Sequence, residues 1–386
     1  MLRCPSIDEL PPPPSGKDGW PWTEESERLP ETMPMRSSLE GKDGRLQIAN
    51  DKGSSAVHYP SSGAWPKISI VTPSYNQGQF IEETIRSVLL QGYPSLEYIV
   101  IDGGSTDESV QIIKKYARWL KYWVSEPDRG QSHAINKGLK HCSGDIFNWI
   151  NSDDLLAPGA LHAVAMAWRR TPHVIIAGRV IDFDEEGGEN LISPNALSLE
   201  NFVNRRKARE SAWMWHQPGT FLPRTGASRI GGVQEDLAFT MDHFLMIGLL
   251  QRYDVVYVPD ILARFRLHDS SKTLTQGFLQ FRLERVKKLR TMKDLQRYVT
   301  AKELEQEQVS VLLTIADLER RKTRYISSCR RYAEALAVSP SLTVVAFLYR
   351  SFFGRIIRKV MRRAKNIHTM LRLRSQDYSR LEKRKS

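Results

Sequence analysis

Only three cysteines occur in the chain of 386 residues, Cys4, Cys142 and Cys329. They are too few for a disulfide framework and lack metal-ligand spacing, which points to a reducing compartment. Long apolar runs are missing too. The longest, Leu342 to Tyr349, falls far short of the roughly 18 residues that a membrane span needs. The opening residues run into Pro11 to Pro14 without an apolar stretch, so no signal peptide is expected and the sequence reads as cytoplasmic. Three familiar signatures are absent as well. Without Gly-x-x-x-x-Gly-Lys-Ser/Thr there is no P-loop. Without Gly-x-Gly-x-x-Gly after the first strand, a dinucleotide oxidoreductase is disfavoured. Without Gly-x-Ser-x-Gly an α/β-hydrolase lacks its nucleophile.

What is present is enough for a core: 41% of residues are apolar and 26% charged, which excludes wholesale disorder. The net charge of +12 is unevenly spread, with residues 281–386 carrying +17 and the remainder −5. A uniformly basic protein would suggest nucleic acid. Here the basic character belongs to the tail, and the first 280 residues need a separate explanation.

Three zones follow. Residues 1–64 hold nine of the twenty prolines and little apolar periodicity, and are expected to form a loosely ordered arm. Residues 65–277 alternate short β-rich runs with helical periodicity. Strands are expected at 68–71, 96–101, 122–124 and 146–150, with helices between them. Ser105 and Glu108 have capping-box spacing ahead of the second helix, and Pro158 suits the first residue of another helix. This alternation argues for a mostly parallel, helix-covered sheet. Residues 278–386 read as a basic helical extension.

Ligands of such sheets bind beyond the carboxyl ends of the strands. Four consecutive strand ends carry polar clusters: Thr72-Pro73-Ser74-Tyr75-Asn76, Asp102-Gly103-Gly104-Ser105-Thr106-Asp107, Glu126-Pro127-Asp128-Arg129-Gly130 and Asn151-Ser152-Asp153-Asp154. One acidic turn is ordinary turn chemistry. Three sets of carboxylates aimed at one end repel each other unless a cation joins them, and a hard divalent ion on a diphosphate does so.

Together with Val100-Ile101 ahead of Asp102, Gln131, and Asn136-Lys137-Gly138, this series resembles family 2 glycosyltransferases over roughly residues 67–275. The resemblance implies a GT-A (Rossmann-like) α/β fold, with a nucleotide-sugar half at 65–157 and an acceptor half at 158–277. It places Pro73, Ser74, Tyr75, Asn76, Asp102 and Asp128 around the nucleotide. Asn151, Ser152 and Asp153 stand at the family's D-x-D motif, with an amide at its first position. Asp153 then becomes the metal ligand for Mn2+ or Mg2+, with Asn151 nearer the ribose and Asp154 in support. Gly103 stands where the commoner family form has a second acid.

In the acceptor half, Asp242 before the apolar run Phe244-Leu245 matches the family's base, with Asp236 the competing candidate. The stretch Arg264 to Lys272 resembles the closing loop, with Arg266 on the diphosphate and His268 a further metal ligand. His133 and His216 carry less weight. Trp213 and Trp215 suit either an acceptor wall or the core.

The expected activity is inverting transfer from a nucleotide-diphosphate-sugar, a UDP-sugar by preference, to a saccharide or lipid-linked hydroxyl acceptor, in bacterial-type cell-surface polysaccharide or glycolipid synthesis. A nucleotidyltransferase and a non-catalytic membrane- or polyanion-binding protein are the alternatives. The first lacks cations after the first strand, and the second has no use for Asp102, Asp153, Asp242 and His268 together. Within residues 344–374 an apolar stripe of Phe353, Ile356, Ile357 and Val360 opposes Arg355, Arg358, Lys359 and Arg362. This points to an anionic membrane surface, with the protein peripheral on the inner face, and not to nucleic acid; a helix packed on the catalytic domain with a solvated basic face is the alternative.

Overall fold

The computed structural model describes residues 4–32, 63–268 and 277–342. Residues 1–277 and 278–386 form two compact units. The first begins its sheet with β1 (Ile68–Ser74), α1 (Ile81–Leu89), β2 (Leu96–Asp102), α2 (Ser109–Tyr116), β3 (Tyr122–Ser125), α3 (Gln131–His141) and β4 (Ile146–Trp149). Every residue of β1, β2 and β4 is buried, as strands covered on both faces require. These four strands are parallel, in the order β3-β2-β1-β4.

Beyond β4 the chain continues with β5 (Leu155–Leu156), α4 (Ala160–Arg170), β6 (Ile175–Asp184), β7 (Glu189–Ile192), α5 (Leu199–Val203) and α6 (Arg205–Glu210). It ends with β8 (Thr220–Pro223), α7 (Arg224–Arg229), α8 (Met241–Leu250) and β9 (Val255–Leu267). The sheet extends as β4-β8-β6-β9-β5, with β7 on β6. Here the expectation of a mostly parallel sheet needs correction. The β4–β8, β8–β6, β6–β7 and β9–β5 pairings are antiparallel, and only β6–β9 is parallel. Parallel neighbours need a crossover of a dozen or more residues. β7 follows β6 after only the turn 185–188, so it can only fold back.

The N-terminal segment also differs from a loose arm. Cys4, Leu10 and Trp22 are buried, and Ile7, Trp20 and Leu29 pack on the main core. Arg86 of α1 is wholly buried beneath this segment. Its guanidinium donates to the carbonyls of Pro11 (2.8 Å), Pro21 (3.0 Å) and Trp22 (2.9 Å), and lies over the Trp22 ring. Trp20 Nε1 donates to Leu156 O, and Trp65 Nε1 to Pro30 O. Proline offers carbonyls without competing N–H groups, so a proline-rich segment suits a buried arginine as acceptor. Residues 33–62 lie outside the described residues.

The second unit packs α9 (Phe278–Thr291), α10 (Ala301–Arg321) and α11 (Tyr325–Val338) around Leu283, Val309, Leu312, Leu313, Ile315 and Ala335. A capping box between Thr300 and Glu303 starts α10. Buried Arg285 donates to Glu307 at 3.1 Å. Residues 344–374, expected to face a membrane, lie outside the described residues. Among the described residues no helix is long and apolar enough to cross a membrane.

Candidate active site

Strand polarity sets the site. β1, β2, β3 and β4 run one way. β8 opposes both β4 and β6, so β6 and its parallel partner β9 run the same way as β4. The carboxyl ends of six strands therefore share one end of the sheet, where the chain also enters β8.

The loops after β1 and β2 are sewn together. The Gly103 N–H donates to Ser74 O (2.8 Å), Asn76 N–H to Ser105 Oγ (2.8 Å), and Thr106 N–H to Asn76 Oδ1 (2.9 Å). The expected capping box does not form, because the Ser105 hydroxyl donates to Asp102 and α2 starts at Ser109. Asp102 is fully buried, and its carboxylate also accepts from Ser125 Oγ (2.6 Å) and the N–H groups of Gly104 and Ser105. Its oxygens thus fix this loop.

Pro73 is buried in β1, Ser74 Oγ is buried with no hydrogen-bond partner among the described residues, and Tyr75 is 60% exposed. Asp128 accepts from the Gly130 N–H at 2.7 Å. A Cβ on Gly103 would lie 2.8 Å from Asp128 Oδ2, so the Asp128 carboxylate fills the space that a side chain at 103 would need.

After β4, Asp153 and His268 meet: His268 Nε2 lies 3.0 Å from Asp153 Oδ2. Arg266 brackets them, its Nε donating to Asp153 O (3.0 Å) and its Nη2 to Glu83 Oε2 (2.8 Å), between the rings of Phe80 and Phe183. Asp154 is 1% exposed and accepts from the Arg266 N–H (3.1 Å) and Asn151 Nδ2 (3.1 Å). Burial, with Asp153 beside it, pushes the Asp154 carboxyl well up. Asn151 Oδ1 in turn accepts from Gln131 at 2.7 Å, and Ser152 is buried. Glu83 and Gln131 carried no assignment from sequence. Glu83 reads as an ordinary acid in a helix's first turn, and nothing in the pattern names its partner.

No group of three or more metal-ligating side chains exists among the described residues. Asp153 and His268 form a pair. Such a pair fits a hard divalent ion that draws its other ligands from phosphate oxygens and water.

On the acceptor side, Asp242 stands in the first turn of α8, half-buried, its Oδ1 accepting from the His243 N–H at 2.7 Å. Helix α3 links it to the β4 loop. Gln131 holds Asn151, while the next residue, Ser132, donates to the sulfur of Met241 at 2.7 Å. Asn136 clamps the strip before α8, donating to Val233 O and accepting from the Val233 N–H. Gly138 lets α3 lie against β1, since a Cβ there would come 2.4 Å from Val71 Cγ1. Asp236 is exposed. Trp213 and Trp215 both pack edge-on against Phe202, with centroids 5.2 Å away, as core aromatics do. His216 faces Asp182, Nδ1 to Oδ1 at 3.4 Å. His133 Nδ1 accepts from the Arg129 N–H.

The sequence profile of glycosyl transferase family 2 matches residues 69–228. An uncharacterized glycosyltransferase of Mycobacterium tuberculosis is 40% identical over 207 residues, which cover 52% of this chain and 75% of that protein. Another from Rickettsia typhi is 26% identical over 213 residues, covering 54% of this chain and 67% of its own length. The chain spans only 34% of the related uncharacterized glycosyltransferases of Rickettsia felis and Rickettsia conorii. Among solved structures, Staphylococcus aureus TarS residues 1–349 with UDP-GlcNAc superposes with a TM-score of 0.49 at 14% identity, covering 74% of this chain and 92% of that one.

Proposed function

The chain belongs to glycosyl transferase family 2, and we propose that it is an inverting enzyme moving a sugar from a nucleotide-diphosphate-sugar to a hydroxyl acceptor. The observation that carries this reading is the meeting of Asp153, His268 and Arg266 at the carboxyl end of the sheet, the end that also carries the Ser74–Asn76 and Gly103–Asp128 loops. These loops take the nucleoside, with Pro73, Ser74, Tyr75 and Asp128 facing it and Asp102 and Asn76 holding the loops in shape. Asn151, Ser152 and Asp154 order the loop on which Asp153 stands.

Asp153 and His268 would hold a divalent ion, Mn2+ or Mg2+, which would offset negative charge on the departing diphosphate. Arg266 contributes a permanent positive charge to the same place. Asp242 accepts the acceptor's hydroxyl proton as the oxygen attacks the anomeric carbon. The bond from that carbon to the diphosphate oxygen breaks, its electron pair leaves with the diphosphate, and configuration inverts. A UDP-sugar donor, a saccharide or lipid-linked acceptor in bacterial-type cell-surface polysaccharide or glycolipid synthesis, and a cytoplasmic protein held peripherally on the membrane through residues 344–374 complete the proposal.

Thermal unfolding against UDP, GDP and their sugars, with and without Mn2+, tests it. A ligand at 100 times its dissociation constant adds about 2.7 kcal/mol to stability. The expected result is a metal-dependent shift with one nucleoside diphosphate that Asp153→Ala abolishes. No shift with any of them overturns the reading.

A further inference from the structure

Asp182 and His216 form a pair that none of the steps above uses. Asp182 lies near the carboxyl end of β6, in register with Phe265 of β9, while the next pair, Phe183 and Arg266, points to the opposite face of the sheet. His216 sits just ahead of β8. Its neighbour Gln217 is fastened to Asn148 Oδ1 (2.9 Å) and Trp149 O (3.0 Å) at the end of β4, two residues short of Asn151. The pair is therefore at the functional end of the sheet, yet across the strand from the face where Arg266 meets Asp153 and Glu83. In-line displacement with inversion requires the acceptor to approach from the side opposite the diphosphate, and both residues belong to the acceptor half.

The chemistry of the pair is specific. His216 Nδ1 is 3.4 Å from Asp182 Oδ1, and that oxygen is buried with no hydrogen bond to any described residue. The ring stands edge-on to Phe265, centroids 5.3 Å apart at 86°, which fixes its plane. Its Nε2 makes no hydrogen bond to any described residue. Burial raises the Asp182 carboxyl and lowers the His216 imidazole, so both groups disfavour charge. With one proton on the pair, held at Nδ1 toward the Asp182 carboxylate, Nε2 is an acceptor; uptake of a second proton by the pair makes Nε2–H a donor. A hydroxyl both donates and accepts, and it matches this pair in either state.

We propose that Asp182 and His216 are a hydroxyl-binding pair in the saccharide acceptor subsite, with His216 Nε2 the contacting atom and Asp182 the positioning residue that fixes the ring. This rests on the transferase reading of the same site.

Histidine-selective NMR of the full chain separates the two. His216→Gln and His268→Gln assign the signals, and the probes are the methyl α- and β-glycosides of glucose, galactose, mannose and N-acetylglucosamine, then UDP and GDP with Mg2+. At least one glycoside moves the His216 ring nitrogens while His268 stays, and a nucleoside diphosphate moves His268 while His216 stays. In Asp182→Asn the glycoside binds about tenfold more weakly, as expected for one misaligned hydrogen bond, and the nucleotide response of His268 is retained, which shows the variant folded. The proposal is overturned if no glycoside moves His216, if Asp182→Asn binds glycoside as the parent does, or if nucleotide alone moves His216. A His268 signal silent to every nucleotide would instead overturn the transferase reading, whatever His216 does.

Discussion

Arg266 and Glu83 meet with Nη2 2.8 Å from Oε2 although they lie 183 residues apart in sequence. That contact joins the carboxyl end of β9 to the first turn of α1, and the same guanidinium reaches the backbone of Asp153. Arg266→Met leaves Glu83 and the Asp153 carbonyl without their donor and should cost about 3 kcal/mol. Arg266→Lys restores charge but not the two-pronged geometry, and should recover only part of it. Denaturant unfolding checks both, and nucleotide affinity should fall with each.

Asp153 and Asp154 are neighbours with different surroundings, and substitution separates them. Asp154→Ala strips acceptors from the Arg266 N–H and from Asn151, both inside the fold, and should lose about 2 kcal/mol of stability. Asp153→Ala should leave stability within about 1 kcal/mol of the parent and remove metal-dependent nucleotide binding. Unfolding midpoints measured with and without nucleotide and Mn2+ distinguish the two.

The first four strands and their loops were legible because buried parallel strands read as apolar runs ended by polar turns. The second half was not. β5 has only two residues, and β8 starts within Thr220-Phe221-Leu222 with no distinctive period. A motif singled out Asp153 and His268 in the sequence, and their contact follows from β9 returning beside β5. Which donors a carboxylate receives is a property of the assembled loops. Nothing in Asp102-Gly103-Gly104-Ser105 says that Ser125, from β3, completes the carboxylate's shell. Composition misled at the N-terminus, where Trp20 and Trp22 among prolines are anchors, the first held by Leu156 of β5 and the second by the buried Arg86 of α1.

That arginine gives a third prediction. Arg86→Met would leave three carbonyls of residues 11–22 without their buried donor, at about 1–3 kcal/mol for each group left unsatisfied. The expected outcome is a loss of about 3–5 kcal/mol and protease cleavage within residues 4–32 before the rest of the chain is cut. Mass spectrometry of the early fragments reads out the site of nicking.

A fourth prediction concerns acid stability and lies at the end of the sheet away from the site. Burial alone would raise the Glu97 carboxyl, but donors from Lys121, Ser143 and Ser69 outweigh it and bring it from the usual 4.5 down to about 2. A carboxylate depressed in the folded state stabilises fully above about pH 4.5, and that contribution disappears as the pH falls toward 2. Glu97→Gln should therefore cost on the order of 3 kcal/mol at neutral pH. The difference between variant and parent should shrink between pH 4.5 and 2. Urea unfolding across that range measures it, and a difference independent of pH would mean the charge is not what stabilises.

Asp242 and Asp236 compete for the role of base, and their surroundings separate them. Asp236 is exposed on the strip before α8, whereas Asp242 is half-buried in the first turn of a helix whose preceding strip is clamped by Asn136 and whose first residue, Met241, accepts from Ser132. A base shielded from bulk water serves proton transfer better, which favours the half-buried carboxylate. Asp242→Asn keeps the oxygen that accepts from the His243 N–H, so the start of the helix survives while proton acceptance is lost. Turnover should fall by about 10²–10⁴-fold with the nucleotide dissociation constant unchanged. Asp236→Asn should leave turnover within about twofold. If the two variants exchange these results, the base stands on the strip and not on the helix, and the acceptor must enter past Glu235 instead.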